Sequence, residues 1–182
     1  MDLPSNHQDE IVSRIGVKVV SYFRGSCNVY LVEKNDTFYV LKMADTSLYE
    51  KWPQRHIVKE SRALRILNKM GVSGIPKRYG FFANDHAYAI MKEYIPGHSL
   101  EGTSLDSQQE NQLREIINEI HKANVANLEL EKRNIVISLS GMPYIVDLGT
   151  ARTKSRTTFY KKRDIQKLEE LVNPSLIKTA VR

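Results

Sequence analysis

Short runs of β-forming residues, separated by turn residues, make up most of the first half of the chain. Runs of this kind, bounded by Gly, Asn, Asp and Ser, predict β-strands. The first three runs follow one another through short turns, so they predict an antiparallel meander. Two more extended runs come later, on either side of a turn at Asn84 and Asp85. The five stretches cover residues 17–23, 29–33, 38–43, 78–82 and 87–91.

Between the third and fourth stretches, apolar residues recur at the spacing of an α-helix over residues 56–70. Its apolar face consists of Ile57, Leu64, Leu67 and Met70. Glu60 falls on this same face. Because an unpaired buried charge is costly, we expect a basic partner, and Lys42 at the end of the third strand is the candidate. The alternative is that Glu60 only reaches solvent from the edge of the helix.

The second half of the chain is predicted to be mainly helical. Helical spacing returns over residues 109–123 and again over residues 164–171, where Pro174 should end the helix. The apolar residues expected to face inward are Leu113, Ile116, Ile117 and Ile120 in the first helix, and Ile165, Leu168 and Leu171 in the second. An extended linker is predicted over residues 92–97, and a hairpin joins residues 135–137 to residues 144–146.

Asp147 follows a short apolar run and precedes Leu148 and Gly149, so a buried strand delivers a lone carboxylate into a turn. Asn134 stands upstream of it, and Glu129 stands upstream of Asn134. Carboxylate and amide oxygens are hard ligands that suit Mg²⁺. The alternative is that Asn134 caps one turn and Asp147 closes another.

These residues occur in an order that resembles the protein-kinase-like superfamily, over roughly residues 17–170. The stretch from Asn127 to Asn134 has the register of the kinase catalytic loop H-R-D-x-x-x-x-N. The chain looks most like the small bacterial RIO-like and lipopolysaccharide-kinase-like serine/threonine kinases. The ordered set comprises Gly25, Ser26, Lys42, Glu60, the linker Glu93-Tyr94-Ile95-Pro96-Gly97, Glu129, Asn134 and Asp147-Leu148-Gly149.

The resemblance implies an α+β, two-lobed, minimal protein-kinase-like fold in a single domain. Its N-lobe, an antiparallel sheet plus one helix, would cover about residues 12–92. A hinge at residues 93–97 would lead to a reduced, mainly helical C-lobe at residues 98–182. A length of 182 residues agrees with one domain.

The resemblance also implies how ATP would be bound. Backbone N–H groups of Gly25 and Ser26 would approach the phosphates, because a residue without Cβ permits a close approach. Lys42 would contact the α- and β-phosphates, and Glu60 would orient its ammonium group. Apolar contacts over the adenine and backbone contacts at its edge would come from Val29, Val40, Glu93, Tyr94 and Ile95. From the residues alone, both valines are typical of plain core.

In the same way, Asn134 and Asp147 would hold Mg²⁺, or Mn²⁺ in its place, and Glu129 would be the catalytic base. Glu129 stands where the motif has Asp. It retains a carboxylate, but the extra methylene displaces it by roughly 1 Å, which can cost about 100-fold in rate. Asn127 replaces the histidine of the motif, and His121 is interpreted as a packing residue.

The implied function is an ATP- and Mg²⁺-dependent serine/threonine protein kinase, and two alternatives stay open. The first is a nucleotide-binding pseudokinase that acts as a regulatory or docking module, which Glu129 and the sparse glycine loop favour. The second keeps the chemistry but transfers phosphate to a small molecule or a lipid-linked sugar. The sequence does not name the acceptor.

Charge is concentrated in one part of the chain. The net charge is +6, and six basic residues and no acidic ones lie between Arg152 and Arg163. This segment could recruit an acidic or phosphorylated protein partner, or it could be a solvated loop. Aromatic residues there are limited to Phe159 and Tyr160, and no binding motif accompanies them, which argues against nucleic-acid binding.

The remaining composition points to a cytoplasmic protein. Cys27 is the single cysteine, so no internal disulfide forms, and the first thirty residues lack the pattern of a signal peptide. No apolar run approaches the roughly 18 residues that a membrane span needs. Export without a cleaved signal stays open.

Overall fold

The structure is a computed structural model, and it describes residues 6–23, 27–45, 52–85, 87–153 and 157–173. Several residues used above lie outside the described ones, namely Gly25, Ser26, Lys154, Arg156 and Pro174. The chain divides into two compact units. Unit 1 contains the residues up to Ser61 together with Lys77–Tyr94, and unit 2 contains Arg62–Pro76 and the residues from Ile95 onward. The predicted lobes and hinge of one kinase-like domain stay a prediction.

Unit 1 is built on a five-stranded sheet in the order β1-β2-β3-β5-β4, with every neighbouring pair antiparallel. Each predicted strand is present, with its ends shifted by at most two residues, and the predicted meander is confirmed. The elements are helix α1 (Asn6–Ile15), strands β1 (Lys18–Phe23), β2 (Asn28–Lys34) and β3 (Thr37–Asp45), the first part of helix α2 (Trp52–Lys69), and strands β4 (Arg78–Ala83) and β5 (Ala87–Glu93).

One face of this sheet forms the core of unit 1. Side chains alternate along a strand, so every second residue of the central strands points to this face. The buried cluster joins these residues to α1, and its members are Ile11, Ile15, Tyr30, Val32, Leu41, Met43, Ala87, Ala89 and Met91.

Helix α1 was not predicted. It ends where Gly16 takes φ +66, a conformation that glycine adopts without strain.

Helix α2 buries the predicted face, with one exception. Ile57, Leu64 and Leu67 are buried, and Glu60 is fully buried among them, as predicted. Met70 was predicted to share this face, but it is 57% exposed. Met70 is the first residue after the end of the helix at Lys69, and at about 3.6 residues per turn it falls at the edge of this face, beyond Leu67.

Unit 2 contains a three-stranded antiparallel sheet in the order β6-β7-β8 and two helices of its own. The elements are strand β6 (Gly97–Ser99), helix α3 (Ser107–Lys122), a 3₁₀ turn (Lys132–Asn134), strands β7 (Ile135–Ser138) and β8 (Pro143–Ile145), and helix α4 (Thr158–Val172). The predicted hairpin is therefore β7-β8. The linker predicted over residues 92–97 is shorter than expected, because β5 continues through Glu93 and β6 begins at Gly97.

Both helices of unit 2 were predicted, but one inward face was partly wrong. In α3 all four predicted residues are buried, and Asp106 and Gln109 form a capping box at its start. In α4, Leu168 is buried as predicted, whereas Ile165 is 38% exposed and the neighbouring Asp164 is buried instead. Asp164 turns inward because its carboxylate accepts backbone hydrogen bonds, as described below.

Together these elements confirm the predicted α+β class, with a five-stranded antiparallel sheet and a helix in the N-terminal part and helices later in the chain. Among the described residues, no helix is both long enough and apolar enough to cross a membrane.

Candidate functional site

The predicted ion pair between Lys42 and Glu60 is present in unit 1. Lys42 Nζ donates to Glu60 Oε2 over 3.0 Å. The other carboxylate oxygen, Oε1, accepts a hydrogen bond from Lys92 Nζ. Glu60 is 0% exposed, Lys42 6% and Lys92 5%. The alternative in which Glu60 only reaches solvent from the helix edge is therefore wrong.

Strand register explains why two lysines meet one carboxylate. Lys42 in β3 lies opposite Val29 in β2 and Ile90 in β5, and Lys92 lies opposite Val40. Directly opposed residues of antiparallel strands share one face of a sheet. All five residues therefore lie on the face opposite the α1 core, and Val29 and Val40 are half-buried there.

Burial makes this cluster energetically important. Removing one partner of a buried ion pair typically costs about 3–5 kcal/mol, because it leaves a buried charge without compensation. The arrangement is most useful where the ammonium group of Lys42 must be held in one position. If Lys42 binds a phosphate, its ammonium group has to be held in one position.

Lys92 was not predicted as a site residue, because it was placed in the linker. A sequence signal could have found it. In β5, Ala87, Ala89 and Met91 face the core of unit 1, so Lys92 has the opposite parity. Once β3 is known to pair with β5, that parity puts Lys92 on the face of Lys42.

The residues predicted to bind the adenine edge come directly after Lys92 in the sequence, and they are Glu93, Tyr94 and Ile95. Glu93 ends β5, and its backbone N–H donates to Lys77 O over 2.8 Å, while its Oε2 accepts from Lys77 N over 2.9 Å. Burial and the nearby Glu93 carboxylate raise the pKa of Tyr79 above its usual value. Tyr94 is the last residue of unit 1 and Ile95 begins the next part of unit 2. Their contact with a base stays a prediction.

In unit 2, the candidate catalytic loop is held at its start by Asp164. Asp164 is 1% exposed. Its Oδ1 accepts from Leu128 N over 2.8 Å, and its Oδ2 accepts from Asn127 N over 2.9 Å. His121 Nε2 lies 3.0 Å from the same Oδ2. His121 is thus a buried residue that supports Asp164, which agrees with its interpretation as a packing residue.

Asn127, which replaces the histidine of the motif, has a structural role of its own. Its backbone has φ +65, a left-handed conformation that Asn tolerates better than most residues. Its side-chain Nδ2 donates to Thr150 O, and Thr150 Oγ1 donates to Asn127 O, each over 2.8 Å. The loop is therefore joined to the segment that follows Asp147.

The other end of the loop is held by Asn134. Its Nδ2 donates to the backbone oxygen of Glu129 over 3.0 Å, and the N–H of Glu131 donates to the same oxygen over 2.8 Å. Glu129 itself is half-buried. Since the amide nitrogen of Asn134 is engaged with Glu129, Oδ1 is the atom of Asn134 that a metal ion would use.

Asp147 lies beside Asn134 because β7 and β8 are antiparallel. Asn134 precedes β7 and Val146 follows β8, and Val146 N donates to Asn134 O over 2.9 Å. Asp147 then begins a tight turn, in which Gly149 N donates to Asp147 Oδ1 over 2.8 Å. The chain thus brings one carboxylate and one amide oxygen to the same end of this hairpin.

This donor set fits Mg²⁺. The ion prefers hard oxygen ligands, usually one or two from the protein, with phosphate oxygens and water completing the shell. Within the residues that the structure describes, no group of three or more His, Cys, Asp or Glu side chains could form a denser metal site. Asn134 and Asp147 are therefore suited to a metal that arrives with a phosphate.

Part of the basic segment from Arg152 to Arg163 is helical. Arg152 N and O pair with the backbone of Ala126, and its guanidinium lies 4.8 Å from the centre of the Tyr160 ring. Helix α4 begins at Thr158 and includes Lys161, Lys162 and Arg163. The interpretation of the whole segment as a solvated loop is therefore wrong for its second half.

Comparison with known proteins indicates a likeness to a kinase. No family model matches the chain. The chain is 30% identical over 105 residues to the "Serine/threonine-protein kinase D" of Synechocystis sp. (strain ATCC 27184 / PCC 6803 / Kazusa). The match covers 54% of this chain and 21% of that protein, so the chain spans about a fifth of the relative's length. The likeness suggests a kinase-like protein and does not favour the RIO-like or the lipopolysaccharide-kinase-like group.

Proposed function

We propose that the chain is an ATP- and Mg²⁺-dependent phosphotransferase that acts on Ser or Thr hydroxyls of a protein. The observation that carries this proposal is the buried Lys42–Glu60 ion pair, which provides an oriented ammonium group on a sheet face. The oxygen ligands of Asn134 and Asp147 and the similarity to a serine/threonine kinase support it.

In this proposal Lys42 contacts the α- and β-phosphates of ATP, and Glu60 keeps its ammonium group in place. Asn134 and Asp147 hold Mg²⁺, which neutralises charge on the phosphates when it is bound. Val29 and Val40 cover the adenine, and backbone groups of residues 93–95 bond its edge.

Glu129 is proposed as the base. The acceptor hydroxyl oxygen forms a bond to the γ-phosphorus, the bond from that phosphorus to the β–γ bridging oxygen breaks, and ADP leaves. The hydroxyl proton passes to the Glu129 carboxylate. Because Glu replaces Asp, the carboxylate is displaced by roughly 1 Å, so a low rate is expected.

The finer classification is also a proposal. The order of the motifs favours a minimal kinase of the bacterial RIO-like or lipopolysaccharide-kinase-like type. We propose that its acceptor protein is acidic or already phosphorylated near the target residue, since Lys161, Lys162 and Arg163 add positive charge at the start of α4.

A nucleotide-binding pseudokinase is the second candidate, and Glu129 is the specific observation that favours it. Labelled ATP with Mg²⁺, incubated with the protein alone and with a generic protein substrate, separates the two candidates. Label on either protein supports the kinase. Thermal stabilisation by Mg·ATP without label supports the pseudokinase. An unchanged melting curve at millimolar Mg·ATP overturns both.

A matched pair of variants tests the base. Glu129→Gln should abolish transfer and leave ATP-dependent stabilisation nearly intact, because the base acts on the acceptor hydroxyl. Glu131→Gln is the control, since it makes the same chemical change two residues away. The Glu131 carboxylate pairs with Arg133 over 2.6 Å at a solvent-accessible position, so this variant should transfer phosphate like wild type.

A further inference from the structure

Two lysines of unit 1 share one fully buried carboxylate. Lys42 binds one oxygen of Glu60 and Lys92 binds the other. The two lysines come from the adjacent strands β3 and β5, and all three side chains are less than a tenth exposed. The proposed function assigns a task to Lys42 and Glu60 but leaves Lys92 without one.

We propose that Lys92 is a positioning residue that anchors Glu60, and through it helix α2, to strand β5, independently of bound nucleotide. The proposal deepens the proposed function and rests on it. Lys42 would have to serve both Glu60 and the phosphates. When its ammonium group turns towards a phosphate, its bond to Glu60 weakens, and a buried carboxylate with a weakened partner is destabilised. Lys92 keeps Glu60 paired throughout.

The backbone around Lys92 suits an anchor. Strand β5 lies between β3 and β4, and Lys92 is paired with Val40 on one side and, next to a register shift in β4, with Arg78 on the other. A residue in the interior of a sheet is held by hydrogen bonds on both sides, so the start of its side chain has little freedom. Arg78 Nε also donates to Ser61 Oγ over 2.9 Å, which adds a second contact between this part of the sheet and α2.

The first test measures the local stability of helix α2 and does not depend on phosphoryl transfer. Amide hydrogen exchange along α2 is measured without nucleotide in wild type, in Lys92→Met and in the control Lys69→Met, which changes an exposed lysine of the same helix. Lys92→Met should speed exchange around Glu60 by about tenfold, less than removal of both partners would, because Lys42 keeps one oxygen paired. Lys69→Met should leave exchange there unchanged.

The second test uses phosphoryl transfer. Lys92→Met should lower kcat by about 10- to 100-fold with little change in the KM for ATP, since Lys42 is still present but less well placed. Lys92→Arg retains a cation and should restore most of the rate. In a Glu60→Gln background, Lys92→Met should cost nothing more, because its effect passes through Glu60. Should Lys92→Met fail to fold, Lys92→Gln, whose amide still donates a hydrogen bond, replaces it.

The outcomes separate the two proposals. Unchanged exchange in Lys92→Met, or an equal loss of kcat in the wild-type and Glu60→Gln backgrounds, overturns the role of Lys92. If wild type neither transfers phosphate nor is stabilised by Mg·ATP, the proposed function fails, and the exchange measurement alone decides whether Lys92 anchors α2. Faster exchange that is specific to the Lys92 variant, together with non-additive kcat effects, supports the inference.

Discussion

Asp164 is the residue of unit 2 whose replacement should reveal most about the candidate catalytic loop. The isosteric change Asp164→Asn keeps the shape of the side chain but replaces one acceptor oxygen with a donor NH₂ group. With the remaining oxygen at the position of Oδ2, the bonds from Asn127 N and His121 are kept. The new NH₂ group then faces Leu128 N–H, which now donates to Oδ1 over 2.8 Å.

The magnitude follows from that lost bond. A hydrogen bond to a charged group contributes about 1.5–3 kcal/mol, and Asp164 is only 1% exposed, so water does not replace it. For a protein of this size, 1 kcal/mol shifts Tm by about 2–4 °C, which gives an expected decrease of about 3–12 °C. Phosphoryl transfer should also fall, because residues 127 and 128 lead directly to the proposed base.

Thermal unfolding followed by circular dichroism provides the measurement, and Asp106→Asn is the matched control. Asp106 is exposed and caps α3 by accepting from Gln109 N, a task that Asn performs equally well. The control should therefore keep its Tm within about 1 °C. If Asp164→Asn melts with the control, the carboxylate does not hold the loop, and the reasoning about this part of unit 2 is refuted.

The remaining predictions concern the proposed metal site, the proposed base and one surface ion pair. Asp147→Ala should remove the Mg²⁺-dependent part of ATP stabilisation, which at 100 times Kd amounts to about 5–11 °C in Tm, and a melting-temperature titration that matches wild type would contradict it. Glu129→Asp should raise the transfer rate if the loop places the acceptor for the shorter side chain, and a lower rate in a steady-state assay would show that the site is adapted to Glu. Hydrogen bonds from Arg114, and secondarily its charge, lower the pKa of Glu169. These interactions therefore stabilise the folded protein fully above the unfolded-state pKa of Glu169. The stabilisation is lost as pH falls through the folded-state pKa. Glu169→Gln should therefore lose about 0.2–1 kcal/mol at pH 7 and nothing at strongly acid pH, as measured by urea unfolding; an equal loss at both pH values would count against this assignment.

Local patterns were enough to predict the elements that depend on near neighbours in sequence. The five strands follow from runs of β-forming residues bounded by turn residues, and the helices α2, α3 and α4 follow from helical periodicity. Glu60 stands out because it interrupts an apolar face. Helix α1 was missed because its apolar face is short. Among its residues whose side chains the structure describes, Ile11 and Ile15 belong to the buried cluster and Val12 packs against it, and the strands that they cover come later in the chain.

The missed site residues depend on distant pairing. Lys92 lies beside Lys42 because β3 pairs with β5, and the alternation along β5 indicates the face of Lys92 but not that pairing. Asp164 was overlooked for a related reason. An apolar pattern favoured Ile165 as the inward residue, but unsatisfied backbone N–H groups of a loop 36 and 37 positions earlier require a carboxylate. The apolar pattern of a helix does not indicate that backbone N–H groups elsewhere in the chain need a carboxylate.

The contacts of unit 2 also limit how Glu129 can be accommodated at a position where the kinase motif has Asp. Asp164 holds the backbone at residues 127 and 128, and Asn134 holds the backbone oxygen of Glu129 itself. A shift of the loop by roughly 1 Å would stretch hydrogen bonds on both sides of the proposed base, each of which contributes about 0.5–3 kcal/mol. The extra methylene is therefore absorbed more cheaply by rotation about the side-chain torsions of Glu129 than by movement of the backbone. It follows that the loss or gain of activity at this position depends on the rotamer that Glu129 can adopt, whereas the position of its Cα is set by Asp164 and Asn134.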